Sequence, residues 1–364
     1  MQGIMPISYG LIMKLIDKEL SEQEKIIKEI KNRKIAVFTA GPTAVMFERE
    51  LHQILGVKAE FFIDNNPKLE DKIINGKPVM LHPWKSIDNF SNEYVVIAAS
   101  STEFCRQIAQ QLSDVCTVPY ISHYHLKFFG LLKRIKTAVT MFEDELSKIS
   151  YLASIYQLLT CDNEFIHHCD SQYFYIKEFM YNFDEVIIDA GAYVGDTVEE
   201  YIRRGYGNKI YAFEPFDNVR SALEIRVERL KKEWAIDDNS VIIVPAGVGI
   251  ETRIERFHDT GKNMLMLGND GDVKHQIYSL DDYFKDKEPF TVLKADIEGG
   301  EFDMLKGAKL SIIKSKPKMA ICIYHNPDDY CRIIEYIKEI VPEYHFCVRN
   351  HYSDFRDTVL YCWV

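Results

Sequence analysis

Apolar residues recur at helical spacing through residues 14–32, where Leu15, Ile16, Leu20, Ile26, Ile27 and Ile30 stand among lysines and glutamates. An amphipathic helix is therefore expected within residues 1–32. From Lys34 the pattern changes. Ile35-Ala36-Val37-Phe38 is a continuous apolar run closed by Thr39-Ala40-Gly41-Pro42, after which Thr43 caps a helix predicted to reach Leu55. Ala59–Ile63 ends at Asp64-Asn65-Asn66-Pro67, and Tyr94–Ala98 ends at Ser100-Ser101. Unbroken apolar strands alternating with helices imply a parallel sheet covered on both faces. Residues 33–122 are expected to form a small Rossmann-like α/β accessory domain.

Residues 123–180 are rich in Leu, Lys, Ile, Tyr and Phe and carry no turn signal before Cys161-Asp162-Asn163, so they read as a helical connector. A second α/β series follows over residues 181–364. Its strands are predicted at Glu185–Asp189, Lys209–Phe213, Val241–Val244, Thr291–Ala295 and Met319–Tyr324. Helices are expected at Thr197–Arg204, Asn218–Trp234, Glu301–Lys314 and Asp328–Ile340. The chain then ends in two strand-like runs, His345–Val348 and Thr358–Trp363, joined by the short polar stretch Arg349–Asp357. A parallel crossover needs a dozen or more residues, so these two must pair antiparallel.

Length agrees with two domains, since 364 residues exceed one domain at roughly 150 residues each. Apolar residues make up 47% and charged residues 27%, which excludes a disordered or collagen-like chain. The net charge of -11 repels polyanions, and no basic run offsets it, so no nucleic-acid partner is expected. The apolar stretch Ile4–Ile16 is broken by Lys14 and lacks a basic lead and a cleavage site, and no stretch approaches a membrane span. A cytoplasmic location follows as an expectation. Eight scattered cysteines without a C-x-x-C pair point to buried thiols rather than disulfides or structural zinc. The adjacent residues of His167-His168-Cys169 point in different directions and do not make a metal site unaided.

The chemistry concentrates in the second series. Val186–Asp189 leads into Ala190-Gly191-Ala192-Tyr193-Val194-Gly195-Asp196-Thr197, a buried strand, a small-residue loop and a helix start. The two glycines permit close backbone approach, and the loop is expected to leave amides pointing at whatever lies above the strand ends. Asp189 and Asp196 make the loop acidic, which is wrong for a pyrophosphate and suits a cationic ligand. The next strand ends in Phe213-Glu214-Pro215, where a carboxylate is the usual acceptor for ribose hydroxyls. A positively charged adenosine ligand without phosphates is S-adenosylmethionine. The plainer alternative makes Gly191 and Gly195 an ordinary βα turn and Glu214 a solvated strand end.

These segments, together with Leu293-Lys294-Ala295-Asp296-Ile297-Glu298-Gly299-Gly300-Glu301, Lys306-Gly307-Ala308 and Ile321-Cys322-Ile323-Tyr324-His325, resemble the FkbM family of S-adenosylmethionine-dependent methyltransferases over about residues 172–364. Gly300 stands where alanine is common in that family. The resemblance implies a class I methyltransferase sheet with a C-terminal antiparallel strand, and O-methylation of a hydroxyl, often on a sugar or a secondary metabolite. The expected cofactor-binding residues are Asp189, Gly191, Ala192, Tyr193, Gly195, Asp196, Thr197, Glu214, Pro215 and Phe216. Tyr193 and Phe216 supply aromatic faces that tolerate a sulfonium.

Asp296, Glu298 and His325 stand just beyond buried strands, at the edge where open α/β sheets bind ligands. Their expected role is catalytic, with His325 as a base of ordinary pKa near 6.5. A divalent metal held by Asp296 and Glu298 is the alternative activator. Helix capping of the Glu301 helix is the structural reading of the acidic pair. The expected partner is a small-molecule or glycan acceptor.

In the first domain, Thr39-Ala40-Gly41-Pro42-Thr43-Ala44 falls short of G-x-G-x-x-G, although Asp64 occupies the ribose-acceptor place. Ile63–Pro67 and Asn75–Val79 are similar to the small Rossmann-like modules attached to bacterial sugar-modifying enzymes. Two other function classes remain open from the residues: a nicotinamide-dependent oxidoreductase and a non-catalytic nucleotide- or sugar-binding module.

Overall fold

The computed structural model describes residues 8–179, 181–259, 265–267 and 273–364. They divide into two compact units, the first comprising residues up to 137 with 149–166 and the second residues 138–148 with 167–364.

In the first unit, the helix Tyr9–Glu29 starts where the Ser8 hydroxyl accepts the Leu11 amide at 3.3 Å, and it buries Ile12, Ile16 and Leu20. Six strands follow: β1 (Lys34–Phe38), β2 (Phe61–Ile63), β3 (Ile73–Ile74), β4 (Lys77–Met80), β5 (Tyr94–Ala98) and β6 (Tyr120–Ser122). They form one sheet in the order β3-β4-β2-β1-β5-β6, parallel except for the β3–β4 pair. Alternate residues feed opposite faces. Ile35, Val37, Val95 and Ile97 pack with Phe47 and Leu51 of the helix Pro42–Leu55, while Ala36, Phe38, Val96 and Ala98 pack with Ile108 and Leu112 of the helix Thr102–Val115. Helices His123–Val139 and Glu145–Thr160 come next, and residues 161–176 are turns and irregular chain without a helix.

The second unit is built on β7 (Val186–Ala190), β8 (Lys209–Phe213), β9 (Val241–Val244), β10 (Ala246–Val248), β11 (Arg253–Asp259), β12 (Leu265–Leu267), β13 (Val273–Tyr278), β14 (Val292–Ala295), β15 (Lys318–Cys322), β16 (His345–Asn350) and β17 (Thr358–Trp363). Seven of them form the main sheet in the order β16-β17-β15-β14-β7-β8-β9. Five strands are parallel, and the terminal hairpin adds through β17, antiparallel to both β15 and β16. This is the mixed α/β Rossmann-like plan of the class I methyltransferases. The first strand, β7, lies between β14 and β8, so chain connections leave it toward both sides and open a crevice at its carboxyl end.

Two features depart from the sequence expectation. Strands β10 to β13 form a second, four-stranded sheet in the order β10-β13-β11-β12. Charged residues such as Arg253, Glu255, Arg256 and Lys274 fall within these strands and hide the apolar pattern. The helix expected from Glu301 to Lys314 is two helices, Glu301–Gly307 and Lys309–Ser315. At the break the Ser279 hydroxyl donates to the Gly307 carbonyl at 2.9 Å, taking an acceptor from the helix.

Candidate functional site

The loop after β7 is folded onto the end of β8. The amides of Gly191 and Ala192 donate to the Phe213 carbonyl at 3.1 and 3.0 Å, and the Tyr193 amide donates to Glu214 Oε2 at 3.1 Å. The Phe216 amide donates to Glu214 Oε1 at 2.9 Å. The expectation of amides free to meet a ligand is corrected for these three loop residues, because their N–H groups are spent within the protein. Glu214 is buried, and burial raises its carboxyl pKa against the lowering effect of the two amides. Of the remaining expected cofactor residues, Tyr193 and Asp196 are exposed, Pro215 and Phe216 half-buried, and Ala192 and Thr197 buried. Phe216 meets the His275 ring edge-on at 5.4 Å. Gly195 caps the helix Asp196–Arg203 with φ +83°, and a Cβ there would strike Leu223.

Asp189 is turned inward. Its carboxylate is fully buried and pairs with Lys294 Nζ at 2.9 Å, and the same ammonium donates to the Gly191 carbonyl at 2.8 Å. The two residues are register partners on β7 and β14. Burial opposes the charge on Lys294, but the Asp189 and Asp296 carboxylates outweigh it and push its pKa up. The cation that Asp189 meets in this structure is thus an internal one, Lys294.

The other carboxylates gather at the ends of β14 and β15. A Cβ on Gly191, whose φ is +74°, would collide with the Asp296 carbonyl, so the glycine brings the first loop directly against the β14 end. Asp296 Oδ2 accepts from Tyr173 at 3.2 Å, and Oδ1 accepts from Tyr324 at 3.4 Å. The His325 side chain is 9% exposed and lies among three carboxylates: Nδ1 is 2.9 Å from Glu301 Oε1, and Nε2 is 3.5 Å from Asp296 Oδ1 and 3.6 Å from Glu298 Oε2. Glu301 is fully buried and reaches back to accept the Ile297 amide at 2.8 Å. Glu298, at φ +57°, turns outward and its side chain is 83% exposed.

These neighbours correct the expectation of a histidine titrating near neutrality. Burial lowers the proton affinity of His325, but the bond to Glu301 and the charges of Glu301, Asp296 and Glu298 exceed that effect, and the pKa is pushed up to about 9. The free imidazole is therefore a minor species at pH 7. One donor atom each from Asp296, Glu301 and His325 lies within 4.8 Å of the others, so Glu301 joins Asp296 among the groups able to hold a metal, while Glu298 stands at the outer edge.

Residues 189–346 match the family model of the methyltransferase FkbM domain. The chain carries an FkbM methyltransferase domain. The full chain is also similar in fold to the crystal structure of methyltransferase FkbM from Methylobacillus flagellatus KT, with 17% identity, a TM-score of 0.59, and coverage of 97% of this chain and 99% of that one. An rRNA methylase from Streptococcus thermophilus matches at 15% identity and TM-score 0.32, over 50% of this chain and 86% of that one. A Streptococcus mutans protein solved in complex with SAH matches at 12% identity and TM-score 0.31, over 50% and 89%. No curated protein matches the chain.

Within the FkbM domain, sequence reasoning missed Lys294 and Glu301. A lysine inside the apolar run Val292–Ala295 is the signal for the first, because a cation on a buried strand needs a partner on the next one. Glu301 was hidden by its place at a helix start, where an acidic residue is ordinary. Tyr173 lies outside the matched segment. Its amide donates to the Tyr361 hydroxyl at 3.0 Å, and that hydroxyl pairs with His351 Nε2 at 2.7 Å, so the hairpin helps to hold the residue that reaches Asp296. Among the described residues no helix is long and apolar enough to cross a membrane.

Proposed function

We propose that this chain is an S-adenosylmethionine-dependent O-methyltransferase acting on a hydroxyl of a carbohydrate or carbohydrate-linked metabolite. The observation that carries the reading is the close approach of Gly191 to Asp296, which joins the glycine loop to a carboxylate–imidazole cluster at one sheet edge. The donor set suits the cofactor. Each Glu214 oxygen accepts one amide, and a carboxylate offers about four lone-pair sites, leaving capacity for two ribose hydroxyls. Tyr193, whose amide meets that carboxylate, has an exposed side chain, and its aromatic face tolerates a sulfonium.

Once bound, S-adenosylmethionine supplies a methyl group on a sulfonium: the acceptor oxygen bonds to the methyl carbon as the carbon–sulfur bond breaks and its electron pair returns to sulfur. The protein holds the acceptor oxygen in line. Asp296, fixed by the Tyr173 and Tyr324 hydroxyls, is the carboxylate that meets the acceptor hydroxyl, and the proton that hydroxyl loses passes to it or to the neutral form of His325, the minor form at pH 7. The carbohydrate acceptor follows the family resemblance of the motifs at Asp189–Thr197 and Asp296–Glu301.

Calorimetric titration with S-adenosylmethionine, followed by transfer of an isotopically labelled methyl group to a panel of hydroxylated sugars, tests the reading. Binding of the cofactor and label in an ether-linked product are expected. Nicotinamide dinucleotide binding without S-adenosylmethionine binding would overturn it.

A further inference from the structure

We propose that Asp296, Glu301 and His325 form a site for one divalent cation of the Mn²⁺ or Zn²⁺ class, with Glu298 placed to close it from the solvent side. The three donors lie within 4.8 Å of one another, and a mixture of one imidazole and two carboxylates suits first-row ions that accept both nitrogen and oxygen. Two further observations point to a ligand. Glu301 is fully buried, yet Oε2 has no hydrogen-bond partner, and a bare carboxylate oxygen away from water is costly unless a cation meets it. The His325 ring is nine-tenths buried, and its Nε2 stands 3.5 and 3.6 Å from the Asp296 and Glu298 oxygens. Those distances exceed the usual N–H···O range of about 2.7–3.2 Å. The Asp296 separation lies near the roughly 3.0–3.4 Å between two donors of one ion bound at about 2.0–2.2 Å, while Glu301 Oε1 meets the ring from its Nδ1 side at 2.9 Å and completes the group within 4.8 Å.

Charge leads the same way. Lys294 is engaged by Asp189 and the Gly191 carbonyl, so three carboxylates, Asp296, Glu298 and Glu301, face one imidazole. A dication brings this group of three carboxylates nearer to neutrality. Tyr173 and Tyr324 hold Asp296 without using its whole capacity, and three protein ligands leave coordination positions open, as catalytic metal sites do. Resting on the methyl-transfer reading, the cation would bind the acceptor hydroxyl and lower its pKa so that its proton passes to water as the oxygen takes the methyl group, which gives His325 the role of ligand in place of base. The acceptor class is then an oxygen donor able to reach the metal, such as a sugar hydroxyl with a neighbouring oxygen.

The test uses the full chain and the metals alone. Mn²⁺ titration followed by electron paramagnetic resonance, with Zn²⁺ by calorimetry, is expected to show one site per chain. Pulsed resonance of the Mn²⁺ complex should carry nitrogen modulation from an imidazole. Asp296→Asn, Glu301→Gln and His325→Gln should each weaken binding by roughly 10–100-fold or more, the loss seen even for outer-shell partners, and His325→Gln should remove the nitrogen signal. Glu298→Gln should have the smallest effect. Circular dichroism separates a misfolded variant from one that has lost the site, and Glu298→Gln together with the native nitrogen signal keeps the test decisive if Glu301→Gln does not fold. Absence of a stoichiometric site for either ion, or a site unaffected by Asp296→Asn and His325→Gln, would overturn the proposal. S-adenosylmethionine binding that persists in that outcome would leave the methyl-transfer reading standing.

Discussion

The two α/β units use the same device at the same place and differ one strand away. In the first unit, Asp64 at the end of β2 accepts the Ala40 amide of the loop after β1 through Oδ2 at 3.0 Å, and the amide two residues on, Asn66, through Oδ1 at 2.9 Å. In the second, Glu214 at the end of β8 accepts the Tyr193 amide of the loop after β7 and the amide two residues on, Phe216, at 3.1 and 2.9 Å. The strand on the other side tells them apart. Beyond β5 the chain runs through Ala99, Ser100 and Ser101, whereas beyond β14 it meets Asp296, Glu298 and Glu301. The histidines differ as well. His123, against the Ala98 carbonyl at 3.2 Å, is held neutral by burial with its pKa pushed down to about 3, while carboxylates drive His325 up to about 9. An acid at the second strand end thus serves first to fasten its own loop, and reactive chemistry depends on what the third strand of the crevice adds.

The largest expected effect falls on that third strand. With an accepted sugar in hand, His325→Ala and Asp296→Asn should each lower methyl-transfer turnover by roughly 10²–10⁴ with cofactor affinity little changed, and Asp64→Asn should leave turnover at the native rate. Folded, cofactor-competent His325→Ala that turns over like the native chain would erase the contrast between the units. Next comes the buried pair beneath the loop. Lys294→Met strands the Asp189 charge and should cost about 3–5 kcal/mol in denaturant unfolding, whereas the double variant with Asp189→Leu should recover most of that loss. The Lys77–Glu48 pair of the first unit, at 3.3 Å, should lose less with Lys77→Met, because Asn75 still donates to Glu48 at 2.9 Å.

How much of this was legible in the sequence depends on whether a feature is local. The seven main strands of the second unit and the antiparallel hairpin follow from apolar runs and a loop too short for a crossover, and they stand within a residue or two of expectation. Asp296, Glu298 and His325 are legible as candidates because they follow buried strands. Lys294–Asp189 was not, because the pairing exists only once β14 lies beside β7 in register. The spent amides of Gly191, Ala192 and Tyr193 likewise depend on where β8 puts the Phe213 carbonyl and the Glu214 carboxylate.

Acid should test the neutral histidines. His351, buried between the Cys169 carbonyl at 2.7 Å and the Tyr361 hydroxyl at 2.7 Å, is pushed down to about 4 by burial. Its unfolded value near 6.5 is higher, so between those values the unfolded chain binds more protons. Its contribution is present above pH 6.5 and is lost as pH falls toward 4, by roughly 3 kcal/mol at most. His351→Gln should flatten the acid limb of the second unit's unfolding free energy. An unchanged limb would show that the ring is not held neutral.

The smallest effects are the most discriminating, since they concern the shared device itself. Glu214→Ala should weaken S-adenosylmethionine binding by about 1.5–3 kcal/mol at most, read by calorimetry on a folded variant. Asp64→Ala removes the equivalent carboxylate from the first unit, and with it the bonds to the Ala40 and Asn66 amides. Its expected cost is about 1 kcal/mol in stability, with no change in S-adenosylmethionine affinity, because the first unit's loop after β1 carries a single glycine and Pro42 withholds an amide. If Asp64→Ala lowers that affinity as much as Glu214→Ala does, the first unit takes part in holding the methyl donor. The strand-end acid would then mark a nucleoside site in both units, and its fastening of the loop would be secondary.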